Sequence, residues 1–396
     1  MDNRILLGIR VLDLTYAFSG PLTGRLLGEL GAEVIKIEPP WGSARNFLPV
    51  IDGISMNFTQ INANKKFVTL NLKSEEGKNI FLELVKKSDV VVENYSAGTM
   101  ERLGLGYDIL RSYNKDIIYS SSSGFGQKGI YSDRPAYDYI IQAMTGFYWV
   151  TGTPDQPMKT GIAIIDALTG VFATIPILAA LYRKKDTGTG ARIDTAMYDV
   201  ATYSMIETMA GVLSGGKDSP FNHRMGNNHP ISAPYALYNA MDGYVFIATS
   251  NDRQFSNLCQ AMDKMNLAND PEMASNELRV KNMERLNREI QDWISGLDSE
   301  RAVNLLLKYD VPAAFLRSPA DAINDGIVRE RRIIKDIDHP SLGIIPMLNS
   351  AIHINGIDTG VTRPGMPVGY DNDSVYGNLL GYSSSKIKTL KEKGIL

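Results

Sequence analysis

The stretch RVLDLTYAFSGPLTGRLLGELGAEVIKIE, residues 10–38, is the clearest indication of the fold. Its two ends, residues 10–15 and 32–38, are short and rich in valine, isoleucine and leucine, as β-strands are. Between them, residues 20–30 have the apolar spacing of a helix. A strand, a helix and a second strand in so short a stretch are typical of a βαβ unit, whose two strands are parallel.

The same alternation continues along the chain. Residues 66–72, 89–93 and 117–121 are further predicted strands, and Ser74 is placed to cap a helix between the first two of them. We therefore expect an α/β fold with a mostly parallel sheet. Ligands of such sheets bind beyond the carboxyl ends of the strands, so the loops that follow these strands are the expected site.

A change in composition after residue 225 predicts a second domain. Residues 235–250 are typical of a hairpin that turns at Asp242-Gly243, and the chain from 251 to 335 is mainly helical and more polar. We expect a large Rossmann-like domain from residues 1–200 and 330–396 and a smaller α+β domain over residues 225–325. Residues 201–224 and 326–329 would be the linkers.

Composition limits the cell compartment and the partners. The net charge of −3 argues against a broad nucleic-acid-binding surface, and no nucleic acid partner is expected. The single cysteine, Cys259, rules out a disulfide within the chain, which favours a reducing, cytoplasmic location. The N-terminus lacks a signal-peptide pattern. The apolar run 167–182 is short for a membrane span and contains Pro176, so we interpret it as a core helix and expect no membrane partner.

The sequence favours neither a dinucleotide cofactor nor a bound metal. Residues 124–129, GFGQKG, match the G-x-G-x-x-G pattern, but the sequence YSDRP follows where a dinucleotide-binding loop would open a helix. NAD binding is therefore not favoured. The four histidines lack metal-ligand spacing, and there is no cysteine pair, so no metal site is expected.

The stretch GIAIIDALTGVFATIPILAAL, residues 161–181, contains a single charged residue, Asp166. The residues alone leave two interpretations open. Asp166 is either the N-cap of the helix that follows, or a nucleophilic carboxylate that the helix N-terminus holds ionised.

Taken together, the segments resemble the class III CoA-transferase family, also called CaiB/BaiF. This family includes formyl-CoA transferase, succinyl-CoA-dependent dicarboxylate CoA-transferases and α-methylacyl-CoA racemase. The matching segments beside residues 161–181 are VLDLTYAFSGPLTGRLLGELGAEVIKIEPPWGSAR, NANKKFVTLNLKSEEGK, VVENYSAGTMERLGLGYD, SSSGFGQKGIYSDRPAYDYIIQAMTG, HRMGNNHPISAPY and DGYVFIATSNDRQF.

The resemblance implies a catalytic cycle at Asp166, in a D-x-x-x-G setting that ends at Gly170. The carboxylate would attack an acyl-CoA thioester, and CoA would return to form an aspartyl-CoA thioester that the acceptor acid displaces. The resemblance also implies an interlocked homodimer and no permanently bound cofactor, because coenzyme A or acyl-CoA is the substrate. Its partners would be acyl-CoA and a small carboxylic acid.

Nine positions match the family's CoA-binding residues. They are Phe18, Ser19, Arg45, Leu70, Lys73, Asn94, Tyr95, Arg102 and Tyr137. Leu70 and Tyr95 would hold the adenine ring, and the three cations would meet the phosphates. The chain departs from formyl-CoA transferase at Phe18, where that enzyme has glutamine, and at GNNHP, residues 226–230, where it has a run of glycines.

Two alternative functions remain open at the level of sequence. An acyl-CoA racemase needs a base on each side of the α-carbon, but Tyr137 stands where the racemase has histidine. A CoA-binding protein without activity is disfavoured by the intact Asp166. The identity of the acid is not readable, although the HRMGN-x-HP segment is most similar to members that use succinyl-CoA and dicarboxylate acceptors.

Overall fold

The computed structural model describes residues 3–396, so the first two residues of the predicted large domain lie outside the description. The strands are β1 (Arg10–Asp13), β2 (Glu33–Glu38), β3 (Val50–Ile51), β4 (Ile54–Ser55), β5 (Lys65–Thr69), β6 (Val90–Glu93), β7 (Ile118–Ser123), β8 (Ala191–Ala196), β9 (Tyr235–Asn239), β10 (Tyr244–Ala248), β11 (Ala313–Phe315), β12 (Ile334–His339) and β13 (Gly343–Leu348).

The helices alternate with these strands in the first half of the chain. They are α1 (Ser19–Glu29), α2 (Met56–Ile61), α3 (Glu75–Val85), α4 (Thr99–Arg102), α5 (Tyr107–Tyr113), α6 (Asp138–Thr145), α7 (Phe147–Val150), α8 (Ile164–Thr187), α9 (Met197–Ser204), α10 (Ile206–Gly215), α11 (Asp252–Ala261), α12 (Met265–Ala268), α13 (Asn276–Lys281), α14 (Met283–Ile294), α15 (Ser299–Lys308), α16 (Pro319–Ala322), α17 (Gly326–Glu330), α18 (Asn372–Leu380) and α19 (Ser384–Glu392).

A six-stranded parallel sheet forms the centre of the first compact unit, which confirms the α/β prediction. The strand order is β5-β2-β1-β6-β7-β8. Strand β8, at one edge of this sheet, was not among the strands that the sequence predicted. In the structure β8 continues to Ala196, and α9 begins only at Met197.

Alternate residues of the strands pack into cores on opposite faces of the sheet. Leu12 of β1 belongs to one core and its neighbour Val11 to the other. The C-terminal helices complete the first core through Tyr376 and Leu390. They also cover the edge strand β5, because the side chain of Asp371 accepts a hydrogen bond from the backbone N–H of Phe67 at 2.7 Å. The end of the chain is therefore part of the large unit.

The described chain forms two compact units. One comprises the chain up to Thr145, with Gly161–Ser204 and Gly326–Leu396, and the other comprises Gly146–Thr160 and Met205–Asp325. The second unit has its own core around the antiparallel sheet β11-β10-β9 and helices α11, α14 and α15. Sequence reasoning had placed residues 146–160 in the large domain, and no composition change marks this short insertion.

Helix α8 is longer than the sequence suggested. It has 24 residues and contains Pro176. It is the one helix among residues 3–396 that is long and apolar enough to span a membrane by length and composition alone. The expectation of an apolar run too short for a membrane span was therefore wrong. The interpretation as a core helix holds for one face only, because Val171, Ile175 and Tyr182 are exposed by 41%, 56% and 74% in the single chain.

Candidate active site

Asp166 lies in the first turn of α8, two residues beyond the first helical residue. The N-cap residue is Ala163, so the interpretation of Asp166 as the cap is wrong. The backbone N–H of Asp166 instead donates to Oδ2 of Asp138 at 2.9 Å. Asp138, the first residue of α6, is buried and supplies an acceptor that the helix end would otherwise lack.

The neighbours of Asp166 shift the pKa of its carboxyl group in opposite directions. Burial, followed by the negative charge of Asp138, raises its pKa to about 6, while a hydrogen bond from the Ser19 side chain lowers it. The sequence suggested that the helix N-terminus holds Asp166 ionised. This interpretation was incomplete, because it left out burial, Asp138 and Ser19. Because this pKa lies below neutral pH, most of the Asp166 carboxylate is ionised there. Asp166 is thus a poorly solvated but charged carboxylate, a suitable state for a nucleophile.

The glycine of the D-x-x-x-G pattern explains how Ser19 reaches Asp166. Gly170 lies one turn further along α8, where this helix crosses α1. A Cβ atom at Gly170 would lie 2.8 Å from the backbone oxygen of Ser19 and 2.9 Å from Cβ of Leu22. The carbonyl of Gly170 also accepts a hydrogen bond from Thr23 at 3.1 Å. Close packing at this glycine brings the start of α1 beside Asp166.

The loop between β1 and α1 is fixed by Asn94. Its side chain accepts from the backbone N–H of Tyr16 and donates to the carbonyl of Tyr16, both at 2.8 Å. Ala17 follows with a φ of 65°, and half-buried Phe18 is the N-cap residue of α1. Asn94 therefore shapes the loop that presents Phe18 and Ser19.

A largely apolar cavity of about 250 Å³ lies at the carboxyl ends of β2, β5 and β6. It brings together three of the predicted residues, Leu70, Lys73 and Tyr95, and Trp41 forms another part of its wall. Leu70 is buried, and the Tyr95 ring stacks on Tyr16 with 6.1 Å between ring centroids. The cavity has the surface that a flat aromatic base requires.

The three predicted phosphate ligands differ in their availability. Arg45 donates to both carboxylate oxygens of Glu38, at 3.0 and 2.5 Å, and to the backbone oxygen of Met366 at 2.9 Å. These bonds use three of its five N–H donors, and the assignment of Arg45 to a phosphate stays a prediction. Arg102 uses two donors within its own turn but is exposed, and Lys73 is exposed at the cavity.

Tyr137 is 77% exposed and directly precedes Asp138 in the chain. It lies close enough to Tyr16 to contribute, after burial, to the raised pKa of the Tyr16 phenol. The neighbouring segment 124–136 contains no helix, and Gly126 and Gly129 have φ values of 85° and 122°. The glycine pattern is therefore a turn-rich loop without the helix that a dinucleotide fingerprint requires.

Sequence reasoning missed two buried carboxylates near the predicted ligand loops, Asp138 and Glu93. Asp138 stands in the segment PAYDY, and its only signal was its position beside Tyr137. Glu93 ends β6 and was noted only as the last residue of a strand. Among residues 3–396, no group of three or more histidine, cysteine, aspartate or glutamate side chains is placed to hold a metal ion.

Comparison with known proteins identifies the family. The model of CoA-transferase family III matches residues 6–372. Succinyl-CoA:mesaconate CoA-transferase of Haloarcula hispanica is 38% identical over 91% of this chain and 88% of its own. Acetyl-CoA:oxalate CoA-transferase of Acetobacter aceti is 36% identical over 91% of this chain and 92% of its own.

Solved structures agree with this result. A CaiB/BaiF family protein from Brucella suis aligns with a TM-score of 0.85 and 32% identity, over 96% of this chain and all of that one. The chain belongs to CoA-transferase family III. It is an enzyme of that family, and the names of its relatives support transfer of CoA between an acyl-CoA and a carboxylic acid. They do not favour the racemase alternative.

Proposed function

We propose that this enzyme transfers CoA through covalent intermediates on Asp166. The observation that supports this most strongly is the environment of Asp166. Its carboxylate has a pKa of about 6 and lies beside a hydroxyl donor, Ser19, and a second carboxylate, Asp138. Among residues 3–396 no lysine or arginine forms an ion pair with Asp166. A carboxylate that no cation neutralises keeps its nucleophilicity.

The proposed cycle balances without water, metal or ATP. An oxygen of Asp166 attacks the donor thioester, which gives a mixed anhydride and CoA thiolate. The thiolate attacks the aspartyl carbonyl, which releases the donor acid and leaves an aspartyl-CoA thioester. The acceptor carboxylate displaces CoA to form a second anhydride. The thiolate then attacks the acceptor acyl carbonyl, which yields the new acyl-CoA and regenerates the Asp166 carboxylate.

We place the adenine of CoA in the cavity at the carboxyl ends of the strands. Leu70 and Tyr95 would contact the two faces of the ring. Lys73 and Arg102 would meet the phosphates, since both are exposed near the cavity. Arg45 would support the cavity wall through its ion pair with Glu38, and its remaining N–H donors would be left for a phosphate. CoA is a substrate in this scheme, and no permanently bound cofactor takes part.

We propose a dicarboxylic acid as the acceptor and succinyl-CoA as a donor. The names of three relatives support the acceptor class, because mesaconate, oxalate and glutarate are all dicarboxylates. Two of those names also include succinyl-CoA or succinate. An assay of CoA transfer from succinyl-CoA to mono- and dicarboxylic acids of increasing length would test the choice. Faster transfer to monocarboxylates would contradict it.

We further propose a homodimer in the cytoplasm. The exposed apolar residues of α8, with Tyr203 on α9 packed against Phe172, form a surface that favours a protein partner. The single cysteine, Cys259, is buried, and burial raises its pKa to about 12. A thiol so protected is consistent with a structural rather than a redox role.

The covalent step can be tested by trapping. Incubation of the enzyme with succinyl-CoA and hydroxylamine should convert Asp166 to a hydroxamate that peptide mass spectrometry detects. The exposed Asp133 serves as the internal control and should stay unmodified. Full transferase activity in Asp166→Ala would refute the proposed function.

A further inference from the structure

A second buried carboxylate, Glu93, lies at the carboxyl end of β6 and has no part in the cycle above. Its oxygens accept hydrogen bonds from three neighbours, of which one follows β6 and two lie on β7. They accept from the backbone N–H of Tyr95 at 2.8 Å, from the hydroxyl of Tyr119 at 3.0 Å and from the hydroxyl of Ser121. Glu93 itself is 3% exposed.

No cation balances this buried charge. Among residues 3–396, no lysine or arginine forms an ion pair with Glu93, which is unusual for a carboxylate at this depth. Three other buried carboxylates of the same unit pair with a cation: Asp13 with Lys65, Glu29 with Arg25, and Glu38 with Arg45. Buried Asp138, beside the proposed nucleophile, has no cation in the described ion pairs. The charge on Glu93 is held by neutral donors alone, so it depends on all three of them.

The donors connect Glu93 to two functional segments. Tyr95 lines the cavity assigned to adenine, and its backbone N–H is fixed by Glu93. Ser121 lies in the second half of β7, and its oxygen accepts a hydrogen bond from Nε2 of Gln127 at 2.5 Å. Gln127 belongs to the glycine loop, residues 124–129. A continuous chain of hydrogen bonds therefore runs from the cavity wall to this loop.

We propose that ionised Glu93 is a positioning residue that couples occupancy of the CoA cavity to the order of the glycine loop. The proposal rests on the proposed CoA site. An ionised carboxylate is a charged acceptor for all three bonds, whereas protonation removes the charge that strengthens them and adds an O–H donor that the hydroxyl of Ser121 or Tyr119 must turn to accept. Protonation therefore weakens the hold on Tyr95 and the connection to Ser121 and Gln127. Ligand contact at Tyr95 is then no longer transmitted to the loop.

The groups around Glu93 set its pKa, so that its protonation occurs at a pH where binding can be measured. Burial raises the pKa of Glu93 to about 6, the hydrogen bonds of Ser121, Tyr95 and Tyr119 oppose it, and the charge of Glu101 adds to it. Burial and Glu93 also raise the pKa values of the Tyr95 and Tyr119 phenols, so both stay neutral. The remaining charged neighbours of this network are Asp13, Arg192 and Asp194. The coupling is therefore present above pH 6 and lost below it.

The test measures the binding of dephospho-CoA, which lacks the 3′-phosphate that itself titrates near pH 6. The full-length Asp166→Asn variant serves as the parent, because it removes titration of Asp166 and any turnover. We expect the parent to bind about three- to tenfold more weakly at pH 5 than at pH 7.5. The added substitution Glu93→Gln should give weak binding at both pH values. The matched control Glu83→Gln, an exposed position on α3, should keep the pH dependence of the parent.

Hydrogen exchange then tests the connection to the loop without altering the buried charge. Dephospho-CoA should protect residues 124–129 of the parent at pH 7.5, and the added substitution Gln127→Ala should remove this protection while binding persists. Equal pH dependence with and without Glu93→Gln, or loop protection retained in Gln127→Ala, would overturn the coupling. Failure of the parent to bind dephospho-CoA would overturn the CoA site itself and the coupling with it.

Discussion

At the scale of single residues, the proposed reaction depends on the ionisation and solvation of the Asp166 carboxylate. Burial and the nearby charge of Asp138 disfavour ionisation, and the Ser19 hydroxyl favours it. The outcome is a group that is mostly charged at neutral pH yet poorly solvated. Such a carboxylate loses little hydration when it attacks a thioester.

Substitution of Asp138 tests this balance. Asp138→Asn keeps an oxygen that accepts from the backbone N–H of Asp166 but removes the negative charge, so the pKa of Asp166 should fall below 6. Because the ionised form is the nucleophile, kcat/KM declines as pH drops through that pKa. We expect this decline to move to lower pH in Asp138→Asn. Profiles of kcat/KM from pH 4.5 to 8 measure the shift.

The exposed Asp133 is the control for this comparison, and Asp133→Asn should leave the acid limb of the profile where it is. An acid limb that Asp138→Asn leaves unshifted in both the wild-type and the Glu93→Gln background would mean that Asp138 does not set the charge of Asp166.

At the scale of elements, the crossing of α1 and α8 joins the nucleophile to its hydrogen-bond donor. Gly170 permits this crossing, because a Cβ atom there would press against the backbone of Ser19. Overpacking of this kind costs about 1–3 kcal/mol. Gly170→Ala should therefore lower the free energy of unfolding by about that amount and reduce kcat by separating Ser19 from Asp166.

The matched control is Gly161→Ala, because a Cβ atom at Gly161 meets no atom within 4 Å. Urea denaturation and steady-state kinetics compare the two variants. If Gly170→Ala were as stable and active as Gly161→Ala, the close crossing would not be what positions Ser19.

Sequence pattern was sufficient for the elements that are buried on both faces. The strands β1, β2, β5, β6 and β7 were all predicted. Each is buried along most of its length, and the C-terminal helices cover the edge strand β5. Strand β8 was missed because it lies at the sheet edge, where Arg192 and Asp194 alternate with less exposed residues. Its sequence therefore has the composition of a polar turn.

The residues of the site were harder to predict from the sequence than the strands of the sheet, for a related reason. Asp166 is the only charge in an apolar run, so its sequence alone drew attention. Asp138 and Glu93 lie in mixed segments, and their importance comes from burial and from partners that are distant in the chain. Arg45 shows the converse, because the sequence indicates a cation near the site but not that Glu38 already pairs with it.

At the scale of the whole molecule, the exposed face of α8 predicts association of two chains. Val171, Ile175 and Tyr182 present apolar surface that a single chain leaves in water. We expect light scattering to give twice the chain mass of 43.7 kDa. Ile175→Glu would place a charge in the interface and should shift the molecule toward the monomer.

The comparison variant is Ile109→Glu, since Ile109 is also exposed but lies on α5. It should remain dimeric. A wild-type protein that stays a 43.7 kDa monomer with full activity would contradict the proposed dimer.

The central claim is that the acyl group passes through Asp166, and an oxygen-18 single turnover tests it most directly. In the proposed cycle the acceptor carboxylate leaves one of its oxygens on Asp166, and the donor acid departs with an oxygen that came from Asp166. One turnover with an oxygen-18-labelled dicarboxylate should therefore label the peptide that contains Asp166, while labelled water should not. An unlabelled Asp166 after the acceptor has become its CoA thioester would show that the transfer bypasses this residue.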